Sequence, residues 1–568
     1  MSSETLHNQS ENRWDSAVMY QIYPRSFNGE DGPEGTINGI RERLDYLQEL
    51  GINAVWISPF YPSPMVDSGY DIADYTDIDP RYGTLTDFER MIDEAHERGI
   101  MVKTDLVPNH TSDQHEWFQA SKDPSHPDYE AYKDFYIWKD PADDDGVPNN
   151  WGSVFSIPNR KAWENGELGL ETTDDGEEYI PYKTAWHFDE ERGQYYLADF
   201  AKEQPNLNWH NPEVREAMKD VVRFWIDKGV DGFRVDVVDH IGKDPQFRDD
   251  EFTPDMTLEN PYDQTSRDKS IRYLDTLLPY VKELTDVLDE YTGRDLRLIL
   301  EAHADKELLH KFDSINPSRA ASFNFGRLKA PWDAKIHKQL LDDYYENLPE
   351  DGVANQVNGN HDMDRLASRV GPEAARVASL VNIFLPGMIT LYNGEELGLE
   401  NVDVPEHRRD DKLGYRDMAR CPMPWSKEEP SAGFSTVSED DLWLPLDPDW
   451  REINAEVQAR DPHSSLNLYK RLLATRNGSE LLKQSDYTPL ETSDRDVLAF
   501  ARRDEKHQAV VVANFSGRSV EDVRIPNARQ HLGRVMLSTQ ELQPQQRFDL
   551  QRGFAIAPNA GMLISQTA

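Results

Sequence analysis

Eight short apolar segments occur along the chain, each bounded by polar turn residues. They cover residues 19–27, 54–60, 101–110, 232–239, 297–304, 320–325, 354–362 and 387–396. Continuous apolar runs are typical of strands that are covered on both faces, and the helical patterns between them, such as 37–51, 86–99 and 214–229, indicate parallel βα units. Eight such units predict an α/β fold of the closed (β/α)8 type, the TIM barrel.

Two interruptions and a final change of pattern divide the chain further. The third and fourth strands are separated by far more sequence than a βα loop needs, so we expect an inserted domain over 113–200 between barrel parts at 1–112 and 201–484. A second excursion, about 397–462, follows the eighth strand and precedes a helix at 465–476. The runs at 497–503, 509–515, 520–525 and 533–538 then predict an antiparallel β-sandwich over 485–568.

Polar side chains follow four of the predicted strands at the point where each strand ends. They are Asp105, Asn109 and His110 on the third, Arg234 and Asp236 on the fourth, Glu301 on the fifth, and His361 and Asp362 on the seventh. Active sites of these barrels lie at the carboxyl ends of the strands. A helix cap or a salt bridge explains any one carboxylate taken alone, but explains poorly why all of them converge on one mouth.

The kinds of residue at this mouth suit cleavage of a glycosidic bond. That chemistry needs one ionised carboxylate to attack or stabilise a cationic centre, and a second that carries a proton for the leaving oxygen. Arg234 lies two residues before Asp236, so both point to the same face of a strand, and its charge should keep Asp236 ionised. Glu301 follows the apolar run 298–300, which favours its protonated form.

Charge and cysteine content narrow the possible partners. The 568 residues include 105 acidic and 61 basic side chains, a net charge of −44 that repels phosphate backbones and anionic membranes. We therefore expect neither nucleic acid nor membrane as a partner, and no obligatory protein partner is implied. This acidity fits either simple solubility or a salty cytoplasm. A single cysteine, Cys421, and the lack of a leader or of a long apolar run make a cytoplasmic location the expectation.

Four ordered motifs resemble the signature regions of the α-amylase family, glycoside hydrolase family 13. They are DLVPNH (105–110), GFRVDVVDH (232–240), LILEAHAD (298–305) and NGNHD (358–362), with GYDIADY (69–75) and QPNLNW (204–209) as further markers. The resemblance covers about residues 15–480. QIYPRSF, QPNLNW and YNGEELGL make it more similar to the branch of α-glucosidases and oligo-1,6-glucosidases.

This resemblance implies a retaining, exo-acting α-glucosidase that releases glucose from short α-glucosides. Asp236 would be the nucleophile that forms a β-glucosyl ester, Glu301 the general acid and then base, and Asp362 the third carboxylate, which grips sugar hydroxyls. The implied pocket for the non-reducing glucose comprises Asp71, His110, Arg234, His361 and Arg365. An Asp71–Arg365 ion pair across the end of the cleft would block further sugars.

Residues around this pocket are candidates for contacts with the aglycone part of the substrate. Tyr75 and Phe200 are candidate sugar-facing aromatics, whereas Trp209 is expected to be structural. In the resembling α-glucosidases, valine directly after the nucleophile goes with α-1,6 bonds, and here that residue is Val237. Against that, FNFGRLKAPWDA (323–334) and RDMARCPMPW (416–425) look more like the branch that prefers maltose-type substrates. We therefore expect action on both linkages.

Metals and cofactors are not expected. Close relatives often carry an aspartate- and asparagine-rich calcium loop after the first strand, but this chain reads FNGEDGPEGTING (27–39), which lacks several ligand oxygens. HEWFQ (115–119) lacks the second histidine of a zinc-binding HExxH motif.

Two other functions compete with hydrolysis. A glucosyltransferase or sugar isomerase of the same family would use the same three carboxylates, and the sequence separates these activities poorly. A non-catalytic subunit of an amino-acid transporter also resembles this barrel, but such proteins lack the full carboxylate set and carry a transmembrane helix.

Overall fold

A computed structural model gives the structure of the chain, and it describes residues 13–143, 146–156, 171–172, 178–179, 184–249, 274–302, 306–411, 416–428, 430–540 and 546–567. The last three residues of the LILEAHAD motif, and parts of the inserted and excursion segments, lie outside the described residues.

Eight parallel strands form the central sheet, as the apolar runs predict. They are β1 (Val18–Ile22), β2 (Ala54–Ile57), β3 (Met101–Leu106), β4 (Gly232–Val235), β5 (Arg297–Leu300), β6 (Ala320–Ser322), β7 (Asn355–Val357) and β8 (Met388–Tyr392). Their order is β6-β5-β4-β3-β2-β1-β8-β7, and every neighbouring pair is parallel. A parallel bridge between Asn324 and Gln356 joins the two ends, so the sheet is nearly closed and the predicted barrel is confirmed.

Helices alternate with these strands. The longer ones are Leu85–Glu97, Pro212–Asp227, Leu274–Asp289, Lys306–Asp313, Ala334–Asn347, Pro372–Phe384 and Ser465–Asn477, and the shorter ones are Pro24–Phe27, Ile37–Glu42, Leu44–Leu50, Glu116–Lys122, Tyr129–Tyr132, Leu366–Val370, Ala455–Arg460 and Glu480–Gln484. The pattern at 37–51 thus forms two helices. Thr36 caps the first by accepting a hydrogen bond from the Gly39 N–H, and Gly51, at φ 98°, ends the second.

One glycine allows β4 and β5 to pair closely. A Cβ atom on Gly232, whose φ is 136°, would lie 2.0 Å from the Arg297 carbonyl oxygen. Deeper in the barrel, the Lys103 ammonium lies 3.7 Å from the centre of the Trp14 ring. Complete burial lowers the pKa of Lys103 well below its usual range. The floor of the barrel is thereby filled by side chains and is not open.

The inserted segment contains an antiparallel sheet of Trp138–Lys139, Gln194–Leu197 and Trp186–Asp189, in that order, and a separate pair formed by Glu171–Thr172 and Glu178–Tyr179. The sequence limits of 113–200 for this domain stay a prediction.

Two antiparallel sheets form the C-terminal region. One has the order Tyr487–Leu490, Val497–Arg503, His507–Asn514, Gly561–Thr567, Leu532–Ser538 and Arg547–Asp549, and the other pairs Val520–Val523 with Phe554–Ile556. Side chains from both sheets share one apolar core, among them Val510, Val512, Val520, Val523 and Ile564. This agrees with the predicted sandwich. Phe515 stacks on Trp332 of the barrel, with ring centres 3.9 Å apart.

Across the described ranges, no helix is both long enough and apolar enough to cross a lipid bilayer.

Candidate active site

Asp236 and Glu301 lie side by side at the carboxyl ends of two adjacent barrel strands. Val235 pairs with Leu300 in the register of β4 and β5, so the two acidic residues that follow emerge together. Both reach the same guanidinium: Arg234 Nη1 lies 2.5 Å from Asp236 Oδ1, and Arg234 Nη2 lies 2.5 Å from Glu301 Oε2. The pair is nearly enclosed by protein, with 6% of Asp236 and 3% of Glu301 exposed. Sequence reasoning placed these three residues together, and the structure does so.

The carboxylate of Asp105 also contacts the Arg234 guanidinium. Asp105 Oδ1, at the end of β3, lies 2.6 Å from Arg234 Nη1, and Asp105 Oδ2 accepts a hydrogen bond from the Trp56 indole at 2.8 Å. Because Asp105 is fully buried, it cannot meet a substrate, and it acts as a fixed counter-charge that orients the guanidinium.

Burial controls the titration of this cluster. Desolvation raises the pKa of both Asp236 and Glu301, their mutual repulsion adds to this for Asp236, and the Arg234 charge lowers both pKa values. Burial and the neighbouring carboxyl groups thus oppose the Arg234 charge, which is expected to keep Asp236 ionised. One guanidinium faces three buried carboxyl groups, so desolvation outweighs it.

Asp362 has the opposite electrostatic surroundings. Its Oδ1 lies 2.9 Å from both Arg416 Nη1 and Arg420 Nη2. The positive charges of these two arginines hold the pKa of Asp362 well below its usual range, although desolvation opposes them. About 29% of its side chain is exposed, so the ionised carboxylate faces the mouth of the barrel.

His361 is locked in place beneath Asp362. Its Nδ1 lies 2.7 Å from Gln21 Nε2, and its Nε2 lies 2.9 Å from the Tyr70 hydroxyl. The rings of Tyr23 and Tyr70 stack against the imidazole. Desolvation lowers the pKa of His361 well below 6.5, so the ring is neutral and acts as a hydrogen-bonding group.

His110 and Phe200 occupy the neighbouring wall. Their ring centres lie 5.2 Å apart, and Phe200 is partly exposed. His110 Nε2 lies 3.0 Å from Gln204 Nε2, and burial lowers the pKa of His110 to about 3. The predicted sugar-facing position of Phe200 stays a prediction.

The expected ion pair between Asp71 and Arg365 is absent. Asp71 is fully buried, and its carboxylate accepts hydrogen bonds from the Ser63 hydroxyl and from the backbone N–H groups of Val66 and Asp67. Arg365 donates to the Asn393 carbonyl oxygen at 2.9 Å. Asp71 faces its own turn and cannot reach a sugar, which corrects its assignment to the pocket.

Asp67 and Arg416 form the ion pair that sequence reasoning missed. Arg416 Nη2 lies 2.7 Å from Asp67 Oδ1, and the same guanidinium contacts Asp362, which places the pair at the mouth. Two features of the sequence could have predicted this ion pair. Asp67 lies four residues before Asp71 in the same DSGYD motif, and Arg416 begins the RDMARCPMPW segment, which we used only as a branch marker.

Val237 adopts an unusual backbone conformation directly after Asp236. Its φ of 34° and ψ of 50° lie in the left-handed region, where a β-branched residue is a genuine outlier. Its N–H donates to Glu301 Oε2 at 3.1 Å. Tyr75, by contrast, is buried and donates to two carbonyl oxygens, and the buried Trp209 donates to Pro108, so both are structural.

Polar side chains of the loop after β1 hydrogen-bond to other side chains of the protein. Asn28 Oδ1 accepts from Arg43 Nε at 3.0 Å, and the Thr36 hydroxyl donates to Glu30 at 2.9 Å. Over the part of the chain that the structure describes, no group of three or more His, Cys, Asp or Glu side chains is arranged to hold a metal ion.

Comparisons with known proteins agree with this geometry. The model of the α-amylase catalytic domain matches residues 21–485. The chain is 34% identical to an α-glucosidase of Apis mellifera (89% of this chain, 86% of the relative) and 33% identical to an oligo-1,6-glucosidase of Parageobacillus thermoglucosidasius (89% and 91%). A crystal structure of an α-glucosyl transfer enzyme superimposes with a TM-score of 0.82 at 32% identity, covering 97% of this chain and 99% of the other.

The chain therefore belongs to the α-amylase family. Within it, these relatives place the chain in the α-glucosidase branch of glycoside hydrolases.

Proposed function

We propose that this protein is a retaining exo-α-glucosidase that releases glucose from the non-reducing ends of short α-glucosides. The observation that carries the proposal is the contact of Asp236 and Glu301 with the two ends of the Arg234 guanidinium. Two carboxyl groups that share one guanidinium lie close together, as retaining enzymes require (about 5–5.5 Å) and unlike the wider gap that leaves room for water in inverting enzymes.

The shared burial of Asp236 and Glu301 supports different roles for them, as nucleophile and as general acid/base. Burial and mutual repulsion raise the pKa of this pair and thereby favour the form of the pair that holds one proton. With the proton on Glu301, Asp236 attacks the anomeric carbon while Glu301 protonates the departing oxygen. Glu301 then takes a proton from water, which opens the β-glucosyl ester and restores both groups.

Asp362 and the Asp67–Arg416 pair define the closed end of the pocket. The ionised Asp362 faces the mouth and can accept hydrogen bonds from sugar hydroxyls as positive charge develops on the ring. Arg416 joins Asp362 to Asp67, so this end of the cleft is walled by an ion pair. We assign exo action to this wall, in place of the Asp71–Arg365 pair, and a cytoplasmic setting stays a prediction.

Glucosyl transfer is the second candidate, because an α-glucosyl transfer enzyme shares this architecture over 99% of its chain. The same ester would then be opened by a sugar hydroxyl in preference to water. The partly exposed Phe200 on the neighbouring wall could favour either outcome.

Product analysis tests the proposal. Initial rates on maltose and isomaltose should show turnover, with the α-anomer of glucose as the first product in NMR spectra, and rates on sucrose and trehalose measured alongside define the substrate range. Release of β-glucose would exclude the retaining mechanism. In ¹⁸O-labelled water, hydrolysis puts the label into the released glucose, whereas unlabelled new oligosaccharides would favour transfer.

A further inference from the structure

Asp71 remains buried and without a catalytic task, although it lies beside the pocket. Its carboxylate accepts three hydrogen bonds, all from one turn: from the Ser63 hydroxyl at 3.0 Å, the Val66 N–H at 2.9 Å and the Asp67 N–H at 3.0 Å. Such a set of donors around a fully buried carboxylate fixes the backbone that supplies them.

The turn over residues 63–69 needs this support because its backbone is strained. Met65 has φ 66° and Ser68 has φ 54°, both in the left-handed region that residues other than glycine rarely adopt. Each such backbone conformation is unfavourable, and it persists only where surrounding contacts enforce it.

The strained turn presents Asp67 to the pocket. Asp67 Oδ1 lies 2.7 Å from Arg416 Nη2, and Asp67 Oδ2 accepts from Gln204 Nε2 at 3.1 Å. Ser68 Oγ also accepts from Arg420 Nη1 at 2.9 Å. Both arginines contact Asp362, so the turn meets the third carboxylate through two guanidinium groups.

We propose that Asp71 is a positioning residue that holds the strained 63–69 turn and thereby sets Asp67 against Arg416 and Asp362. This inference rests on the proposed function for its kinetic consequences only. The hydrogen bonds, the strain and the ion pair form one chain of contacts from Asp71 to Asp362, and Asp71 itself contacts no substrate.

Asp71→Asn is the direct test. The amide retains one acceptor oxygen and turns an NH2 group towards a backbone N–H, so the turn should relax. We expect kcat/KM to fall about 10- to 100-fold, the size expected when a buried donor loses its acceptor. In an Asp67→Asn background the same change should cost less than about 2-fold, because Asp71 acts through Asp67. An equal loss in both backgrounds would overturn the proposal.

Glycine at residue 65 gives a rescue that a general folding role does not predict. Met65→Gly removes the penalty for left-handed backbone, so it should restore part of the activity of Asp71→Asn, whereas the matched Met65→Ala should not. Equal effects of glycine and alanine would contradict the role of strain. If Asp71→Asn does not fold, Ser63→Ala removes one of the three hydrogen bonds and should give a smaller loss of the same kind.

A crystal structure of Asp71→Asn separates this inference from the proposed function. We expect the Asp67–Arg416 contact to open beyond 4 Å, and an unchanged contact would refute the inference. If the wild-type enzyme turned over no α-glucoside, the proposed function would fail, and this structural readout would still decide the role of Asp71.

Discussion

The backbone N–H of Val237 points at Glu301 Oε2 across 3.1 Å, from a residue whose left-handed backbone a valine normally avoids. A strained residue thus supplies one hydrogen-bond donor to the proposed acid/base, and in the proposed function its side chain, 8% exposed, borders the aglycone side.

Val237→Thr should raise the ratio of maltose to isomaltose rates. Threonine keeps the β-branched shape, so the backbone and the stability should change little, while a hydroxyl replaces one methyl group in the aglycone pocket. Such an exchange is worth about 1–3 kcal/mol of discrimination, which biases the preference without fixing it. Side-by-side initial rates measure the ratio. If it stays constant or falls, the linkage determinant lies elsewhere, and the 397–462 excursion is the place to search.

Asp236→Asn should abolish turnover and leave the fold intact. The amide nearly preserves the shape of the side chain and cannot form a glycosyl ester. Steady-state rates on an aryl α-glucoside measure the loss, and a thermal unfolding curve close to wild type serves as the control. Retention of more than a few per cent of activity would refute the nucleophile assignment.

Glu301→Gln should lower rates on natural disaccharides by about 10²- to 10⁴-fold, the usual contribution of general acid catalysis. Aryl glucosides with good leaving groups need less protonation, so their glucosylation step should suffer less. Pre-steady-state rates on both substrates test the difference. Equal losses, with glucosylation rate-limiting in each, would argue against an acid role.

Chelation by EDTA should leave activity nearly unchanged. The oxygen of Asn28 already accepts from Arg43, and the proposed chemistry uses only side chains of the protein. Rates before and after dialysis against EDTA provide the measurement. A large loss that added calcium reverses would show that the loop after β1 was misinterpreted.

Glu395→Gln should stabilise the protein at alkaline pH. Burial raises the pKa of Glu395 to about 7 from its usual 4.5, so the folded state binds a proton more tightly than the unfolded state does. Stability contributed by this group is thus complete below about pH 4.5 and is lost as pH rises to about 7. The neutral amide avoids that loss, worth up to about 3 kcal/mol.

Thermal unfolding midpoints at pH 5 and pH 8 test this prediction. The gain in Tm from Glu395→Gln should be larger at pH 8, while the exposed Glu97→Gln should give no such difference. Equal gains at both pH values would contradict a buried titrating Glu395.

The barrel was predictable because strands that are covered on both faces give continuous apolar runs in the sequence. The run around Val235 is apolar except for Arg234, the run from Leu298 to Leu300 is apolar, and an acidic residue follows each one at the carboxyl end of its strand. Asp236 and Glu301 therefore needed only strand order to be placed together.

The electrostatic partners were harder to predict because they come from irregular segments. Arg416 and Asp67 are 349 residues apart and lie in stretches without periodicity, so no local pattern links them. The left-handed backbone of Val237 was equally hard to predict from the sequence, because a β-branched residue favours a strand. The pKa of Asp236 depends on a count of buried charges, which only the assembled structure provides.

The parallel pairing of β1 with β8 has a consequence for biosynthesis. Val18 pairs with Ile389, so the barrel of a nascent chain cannot close until nearly 400 residues have left the ribosome. The pocket must wait longer still, for Arg416 and Arg420. Contacts so remote in sequence slow folding, because a long loop must close before they form. During synthesis the half-built sheet exposes a parallel edge, and chaperones that shield it would raise the yield of active enzyme.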